Sequence, residues 1–335
     1  MRPPGAAPSR GEFALIARHF TRRPRDAAVR VGVGDDAAVI APAPGHELVL
    51  AVDMMVEGRH FRAGTDPERL GHKILAVNLS DLAAMGARPR WALLAGALPD
   101  DDDAWLAAFA RGLYALADEY RVDLVGGDTT RGPRNLCVTI AGDVPAGAAI
   151  LRSGARVGDD LWVSGTLGDA MLGLAALEGR TALDAASRAS CVARLERPSP
   201  RVALGIALRG CARAMLDVSD GLSGDLAHLT EASAVGAVVE LARLPRSDAL
   251  DAKLRGPERA LALACLLAGG DDYELVFAAP ADRRDAVVAA ARAGNIAVTR
   301  IGQVVAGRGL TVLDEANAPL ASLPRAFDHF AGDRA

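Results

Sequence analysis

The sequence predicts an α/β protein with mixed sheets (α+β in character), divided into two domains. Short β-type runs alternate with helical patterns along the whole chain, which favours sheets covered by helices. The length of 335 residues suits two domains, and a Gly- and Pro-rich segment at 145–160 separates two halves. We therefore predict an N-terminal domain at 11–148 and a C-terminal domain at 149–335, preceded by a disordered tail at 1–10.

The first half has clear helix and strand signals. The helix expected over 67–86 has apolar residues near helical spacing, starts with Pro67 and ends at Gly86. The helix expected over 101–120 has an acidic first turn, which suits the helix macrodipole. Apolar runs predict strands at 47–53, 90–99, the start of 122–132, and 136–144.

The second half repeats this alternation. Strands are expected at 160–164, 214–217, 236–241, 273–279 and 297–305. Helices are expected at 168–178, 200–211, 221–233, 258–268 and 281–293.

Composition and charge exclude several classes of protein. The net charge of −4 and the absence of a Lys/Arg block argue against nucleic-acid binding. The longest apolar run, at 260–270, is too short to span a bilayer, and the N-terminus lacks the apolar region of a signal peptide. The 4 cysteines are far apart and form no CxxC motif, which is typical of reduced thiols in a cytosolic protein. We therefore expect a cytoplasmic protein with no membrane or nucleic-acid partner.

The stretch "RVGVGDDAAVI" raises the question of phosphate binding. Gly32, Gly34 and Ala37 fit a dinucleotide-binding loop. Asp35 and Asp36 would repel a bare phosphate, by roughly 4 kcal/mol per contact at ~4 Å and an effective dielectric near 20. Prolines and a glycine follow and prevent the long helix of a dinucleotide fold. The pattern favours carboxylates that face phosphate through a divalent metal.

Other aspartates follow apolar runs or glycines in the same way. They are Asp53, Asp81, Asp128, Asp217, Asp220, Asp271 and Asp272. Ligands of α/β proteins bind in loops at strand ends, so these acids could share one site. For any single position, an aspartate beside glycine is also an ordinary turn residue, and that alternative stays open.

The sequence contains no motif for a covalent nucleophile or a classical nucleotide loop. The P-loop, the protein-kinase motifs, G-x-S-x-G and zinc-type His clusters are all missing from the sequence. Acidic groups without a nucleophile point to metal-assisted phosphoryl transfer.

Taken in order, a set of motifs resembles the thiamine-monophosphate kinase family, whose fold is similar to that of aminoimidazole ribonucleotide synthetase. The resemblance extends from Gly11 to about Phe330. Its motifs are "GEFALIARHF", "GVGDDAAV", "VDMMVEGRHF", "KILAVNLSDLAAMGARP", "VGGDTTRGP", "LRSGARVGDDLWVSGTLGD", "RPSPRV", "LDVSDGL", "GGDDYEL" and "FDHF".

The resemblance implies a two-domain fold of that type, a homodimer built on the N-terminal sheets, and transfer of the ATP γ-phosphate to thiamine monophosphate. No covalent nucleophile is expected. The resemblance implies several Mg²⁺ ions held by Asp36, Asp53, Asp81, Asp128, Asp217 and Asp220. It implies ATP contacts from Gly127, Asp128, Arg152 and Ser219, and substrate contacts from His60, Asp271 and Phe327.

Each of three site residues also has a simpler reading. Arg152 could be a surface linker arginine, His60 a core histidine, and Phe327 an anchor for the C-terminal tail. Two functional alternatives also stay open: an ATP-using enzyme of the same superfamily with another acceptor, and a non-catalytic regulator that binds Mg-nucleotide.

The sequence departs from the family pattern in two places. Ala51 and Val52 stand where the family usually has Ser or Thr hydroxyls, so neither is expected to bind a ligand through its side chain. Asp271 stands where the family often has Glu, and its shorter side chain changes the reach of that carboxylate.

Overall fold

The computed structural model describes residues 12–325, in which the chain forms two units. One unit comprises the described residues up to Leu79 together with Pro89–Ala146. The other comprises Ser80–Arg88 together with the described residues from Gly147 onward. The predicted tail at 1–10 lies outside the described residues, and the two domains stay a prediction at their stated boundaries.

The first unit is built on a four-stranded sheet and a small ribbon. The strands are β1 (Val29–Val31), β2 (Val39–Ile40), β3 (His46–Val56), β4 (Arg88–Leu98), β5 (Asp123–Arg131) and β6 (Asn135–Pro145). The ribbon pairs β1 with β2, and the sheet has the order β3-β6-β4-β5. β3 and β6 are antiparallel, whereas β4 and β5 are parallel, so the sheet is mixed as predicted.

Two long helices accompany this sheet, α2 (Pro67–Ala84) and α3 (Asp103–Tyr120). A short helix, α1 (Glu12–Leu15), precedes them in the chain and continues as a π-helix at Ile16–Phe20. α2 and α3 approach closely because Gly71 and Gly112 carry no side chain. A Cβ on Gly112 would lie 1.7 Å from the carbonyl oxygen of Glu68, and a Cβ on Gly71 would lie 2.0 Å from that of Phe109.

The second unit has a six-stranded sheet. Its strands are β7 (Asp160–Ser164), β8 (Ala214–Asp217), β9 (Gly236–Glu240), β10 (Leu275–Ala279), β11 (Val298–Val305) and β12 (Gly309–Leu313). The order is β12-β9-β11-β7-β10-β8, antiparallel except for the parallel pair β9 and β12. β7, β8 and β10 are buried along their whole length, which places them at the centre of the core.

The apolar side chains of helices in the second unit share one hydrophobic core with those of the sheet. The helices of this unit are α4 (Asp169–Leu177), α5 (Ala185–Glu196), α6 (Val202–Ala207), α7 (Leu222–Ser233), α8 (Asp248–Arg255), α9 (Arg259–Ala268) and α10 (Arg284–Ala293). Short 3₁₀ turns lie at Leu241–Arg243 and Ala281–Arg283. None of the helices within residues 12–325 is long and apolar enough to cross a membrane.

Candidate functional site

In the first unit, the acidic loop after β1 faces a cavity of about 1020 Å³. Asp36 lines this cavity together with Gly127 and Asp128 of β5. The structure therefore brings together three of the residues that the sequence predicts for metal and nucleotide. The remaining walls are mostly apolar and come from the sheet strands and from the β1–β2 ribbon.

Gly127 is required by the backbone at the point where β5 enters this cavity. Its φ of 153° lies in the region that favours glycine, and a Cβ would sit 1.8 Å from the carbonyl oxygen of Leu94 on β4. The close approach of β5 to β4 therefore depends on glycine at this position. The following residue, Asp128, is exposed.

Asp53 and His60 lie on β3 and in the turn that follows it. The backbone amide of Asp53 donates to Oδ1 of Asn78, at 3.1 Å. Burial raises the pKa of Cys137, and the charge of the half-buried Asp53 raises it further. The amide of Val56 donates to Nδ1 of His60, at 3.0 Å. His60 therefore carries a proton on Nε2 as a donor, which suits recognition of an acceptor group.

In the second unit, Asp217 ends the buried strand β8. The hydroxyl of Ser80 donates to its Oδ2 at 2.6 Å. Burial raises the pKa of Asp217 above its usual range; the Ser80 hydrogen bond and the charge of Arg152 lower it, and the nearby Asp220 raises it. Arg152 itself is exposed, so its cationic head can serve an anionic ligand beside Asp217.

The loop after β8 brings further acidic side chains close to Asp217. Burial, together with the charges of Asp217 and Asp220, raises the pKa of Asp225 to about 8. Within residues 12–325, no group of three or more His, Cys, Asp or Glu side chains is arranged so that it could hold a metal ion by itself. Mg²⁺ usually binds to one or two carboxylates, waters and substrate phosphates, so the carboxylates of Asp217 and Asp220 fit such a shared site.

Asp271 lies beside this loop in a strained turn. It has a φ of 67°, and Tyr273 has a φ of 51°, both in the left-handed region. The Asp271 amide donates to the carbonyl oxygen of Ser219 at 2.9 Å, and the Tyr273 hydroxyl donates to Oδ1 of Asp271 at 3.1 Å. Left-handed non-glycine residues cluster at ligand-binding sites, where the surrounding structure holds the strain.

The next two acids of this turn are buried and act structurally. Both Oδ atoms of Asp272 accept from the amide of Gly168, the N-cap of α4, at 3.0 and 2.8 Å. Burial raises the pKa of Asp272, whereas two arginines lower that of Glu274. The expected strand at 273–279 therefore starts two residues later, at Leu275, because Tyr273 and Glu274 belong to the turn.

The remaining predicted residues have different surroundings. Asp81 is half-buried on α2, and Ser219 is half-buried between Asp217 and the exposed Asp220. Phe327 lies outside the described residues. The sequence analysis did not identify Ser80, Asp225 or Glu274. Ser80 and Asp225 lie close in the sequence to the predicted ligands Asp81 and Asp220, and that proximity was the available signal.

Comparisons with known proteins show the family and the fold of the chain. The chain matches the family model of the AIR synthase related protein, N-terminal domain, over residues 34–144 and the corresponding C-terminal domain over 156–315. It is 45% identical over 324 residues to the thiamine-monophosphate kinase of Escherichia coli (strain K12), covering 96% of this chain and 98% of that protein.

Two solved structures are similar along most of the chain. The crystal structure of thiamine-monophosphate kinase from Stenotrophomonas maltophilia K279a has a TM-score of 0.80 and 46% identity, covering 90% of this chain and 94% of that one. AaThiL complexed with AMPPCP and TMP has a TM-score of 0.75 and 30% identity, covering 87% and 89%.

Proposed function

This chain belongs to the thiamine-monophosphate kinase family, within the AIR synthase related proteins, and from this premise we propose how its residues phosphorylate thiamine monophosphate at the expense of ATP. The reaction is a direct phosphoryl transfer. An oxygen of the acceptor phosphate forms the new bond to the γ-phosphorus, the bond from that phosphorus to the β–γ bridging oxygen breaks, and ADP leaves.

Positioning and charge neutralisation are the main tasks of a protein in this chemistry. When bound, Mg²⁺ would supply positive charge against the charge that develops on the phosphates. In the first unit Asp36, Asp53 and Asp128 would hold it, and in the second Asp81, Asp217 and Asp220. The observation that carries most weight is Asp217, a carboxylate that is only 9% exposed, ends strand β8 and is held by the Ser80 hydroxyl.

ATP contacts are assigned to both units. In the first, Gly127 and Asp128 lie within β5 and line the cavity, so this part of the strand is open to a ligand. In the second, Arg152 supplies an exposed cation, and Ser219 a half-buried hydroxyl. AaThiL has been solved with AMPPCP, an ATP analogue, which supports ATP as the phosphoryl donor.

Acceptor contacts are assigned to His60, Asp271 and Phe327. His60 presents Nε2–H as a donor because its Nδ1 accepts from Val56. Asp271 is held in its unusual backbone conformation by Ser219 and Tyr273, which gives its shorter carboxylate a defined direction. Phe327 stays a proposal from the family resemblance alone.

We also propose a homodimer and a cytoplasmic location. One face of β3 carries four exposed apolar side chains, two of which, Leu48 and Leu50, also line the cavity, and this apolar face favours burial against a second copy of the sheet. Cys137, Cys191, Cys211 and Cys265 are all free, which is consistent with a reducing compartment. No nucleic-acid partner is proposed.

Product analysis tests the reaction. The purified protein, incubated with ATP, Mg²⁺ and thiamine monophosphate, should form thiamine diphosphate and ADP in equal amounts, and chelation of Mg²⁺ should stop the reaction. Free thiamine should be a poor acceptor because the site expects an acceptor phosphate. Phosphorylation of a different acceptor would support the superfamily alternative, and nucleotide binding without turnover would support the regulator.

A further inference from the structure

Asp225 lies on α7, but its carboxylate bonds to the loop in front of the helix. Its Oδ2 accepts hydrogen bonds from the backbone amides of Ser219, at 3.0 Å, and Asp220, at 3.1 Å. The side chain is 6% exposed. Both amides bond to the same carboxyl oxygen, so the two hydrogen bonds fix the backbone of the loop relative to the first turn of α7.

The opposite side of the same loop is held by the turn at 269–274. The Ser219 carbonyl oxygen accepts from the amide of Asp271 at 2.9 Å. Gly270 lies so close that a Cβ there would be 2.4 Å from this carbonyl oxygen. Ser219 is therefore fixed through its N–H by Asp225 and through its C=O by Asp271.

This arrangement differs from an ordinary helix cap. A capping side chain bonds to amides inside the first turn of its helix, as Asp184 does for α5 through Ala186 and Ser187. Asp225 instead bonds to two amides that precede Gly221, the N-cap of α7, whose φ of 109° lies in the region that favours glycine. Its hydrogen bonds restrain the loop rather than the helix.

We propose that Asp225 is a positioning residue of the kinase reaction, one that sets the backbone of Ser219 and Asp220 so that their side chains meet Mg²⁺ and the phosphates. This inference rests on the roles assigned to those two residues in the proposed function. In this role Asp225 acts through the two amides. Because a displacement of about 1 Å of a catalytic group can lower the rate about 10²-fold, loss of these two bonds should reduce turnover strongly.

Three variants separate this role from a purely structural one. Asp225→Ala removes both bonds, Asp225→Asn removes the charge but keeps an acceptor oxygen, and Asp184→Ala removes a two-amide cap away from the loop. For Asp225→Ala we expect kcat to fall about 10²-fold and the Mg²⁺ concentration for half-maximal activity to rise several-fold. Asp225→Asn should stay within about fivefold of the wild type in both, since its amide oxygen can still accept.

The control and a second readout make the test decisive. Asp184→Ala should lower the Tm about as much as Asp225→Ala does, with an unchanged Mg²⁺ requirement. Amide hydrogen exchange at Ser219 and Asp220 should accelerate in Asp225→Ala and not in Asp184→Ala. This readout needs no activity, so a wild-type protein that makes no thiamine diphosphate would reject the proposed function and leave the exchange result intact.

Two outcomes would overturn the proposal. One is an Asp225→Ala variant with wild-type kcat and Mg²⁺ dependence, whatever its Tm. The other is an Asp225→Asn variant as defective as Asp225→Ala, which would show that the charge matters rather than the position of the loop. If Asp225→Ala does not fold, Asp225→Asn and Asp225→Ser are compared by the same exchange measurement.

Discussion

The carboxylate of Glu274 accepts two hydrogen bonds from the guanidinium of Arg201, at 2.7 Å from Nε and 2.5 Å from Nη2. Arg194 adds a third, at 2.8 Å, and the Ser164 hydroxyl a fourth, at 2.6 Å. Glu274 is fully buried. The same Arg194 nitrogen also donates to the carbonyl oxygen of Asp272 at 3.2 Å, so this network anchors the turn that carries Asp271.

Substitution of Glu274 by Gln should destabilise the fold. The change leaves Arg194 and Arg201 with uncompensated charge in a largely buried position, and removal of one partner of a buried ion pair lowers stability by about 3–5 kcal/mol. Chemical denaturation at pH 7 measures the free energy of unfolding. Glu240→Gln, which removes a more exposed pair with Arg243, is the matched control and should change stability by less than about 1 kcal/mol.

The contribution of Glu274 to the free energy of unfolding should depend on pH. The arginines hold the pKa of Glu274 below its ordinary value of 4.5. Because the folded pKa is the lower one, the stability from Glu274 is present above the unfolded pKa and is lost as the pH falls through the folded pKa.

The difference in unfolding free energy between the wild type and Glu274→Gln should therefore be constant from about pH 7 to pH 5 and become smaller at lower pH. Denaturation curves at a series of pH values measure it. A difference that stays constant down to pH 3.5 would contradict the assigned ion pair.

The sequence was most informative where a strand is fully buried. β7 and β8 have the bounds that their apolar runs predict, because turn residues flank both. α5 and α8 went unrecognised because each buries only two residues, too few for a visible periodicity. The ribbon of β1 and β2 is too short to produce a pattern.

In the candidate site, too, some residues could be predicted from the sequence and others could not. The candidate aspartates are visible in the sequence because glycines and apolar runs frame them, although the structure places Asp53 and Asp128 inside β3 and β5 rather than at strand ends. The partners that hold them are not visible, since they depend on contacts between distant positions. Ser80 and Asp217 are 137 residues apart, and no local pattern connects them. The left-handed conformation of Tyr273 was equally hidden, and it shifted the start of β10.

Asp128→Asn tests the assignment of metal in the first unit. Asp128 is exposed on β5, so the fold should be hardly affected. Loss of one carboxylate charge from the phosphate site should lower kcat by at least about 10²-fold, the scale seen when one electrostatic stabiliser is removed. The Mg²⁺ concentration for half-maximal activity should rise as well.

Another exposed aspartate of the first unit serves as the control for a general effect of charge. Asp101→Asn, in the loop before α3, removes the same charge from the same unit and should leave kcat and Mg²⁺ dependence unchanged. Near-wild-type turnover of Asp128→Asn would remove Asp128 from the proposed ligand set.

The exposed apolar side chains of β3 lead to a prediction about dimerisation. Leu48, Leu50, Val52 and Met54 alternate along this edge strand and are 48%, 67%, 60% and 53% exposed. Burying such a side chain contributes roughly 1.5–3 kcal/mol, so four on each of two copies provide a large driving force for association. Light scattering at micromolar concentration should give the mass of a dimer.

Leu50→Glu should convert this dimer to a monomer. In a two-fold symmetric interface the substitution occurs twice, and each carboxylate would be transferred from water into an apolar contact without a partner. Leu151→Glu is the matched control, because Leu151 is 50% exposed in the second unit and should leave the mass unchanged. The Leu50→Glu monomer should keep the Tm of a folded protein, since the side chain is already largely exposed within one copy. A wild-type protein that scatters as a monomer, or a Leu50→Glu protein that stays dimeric, would rule out this face as the interface.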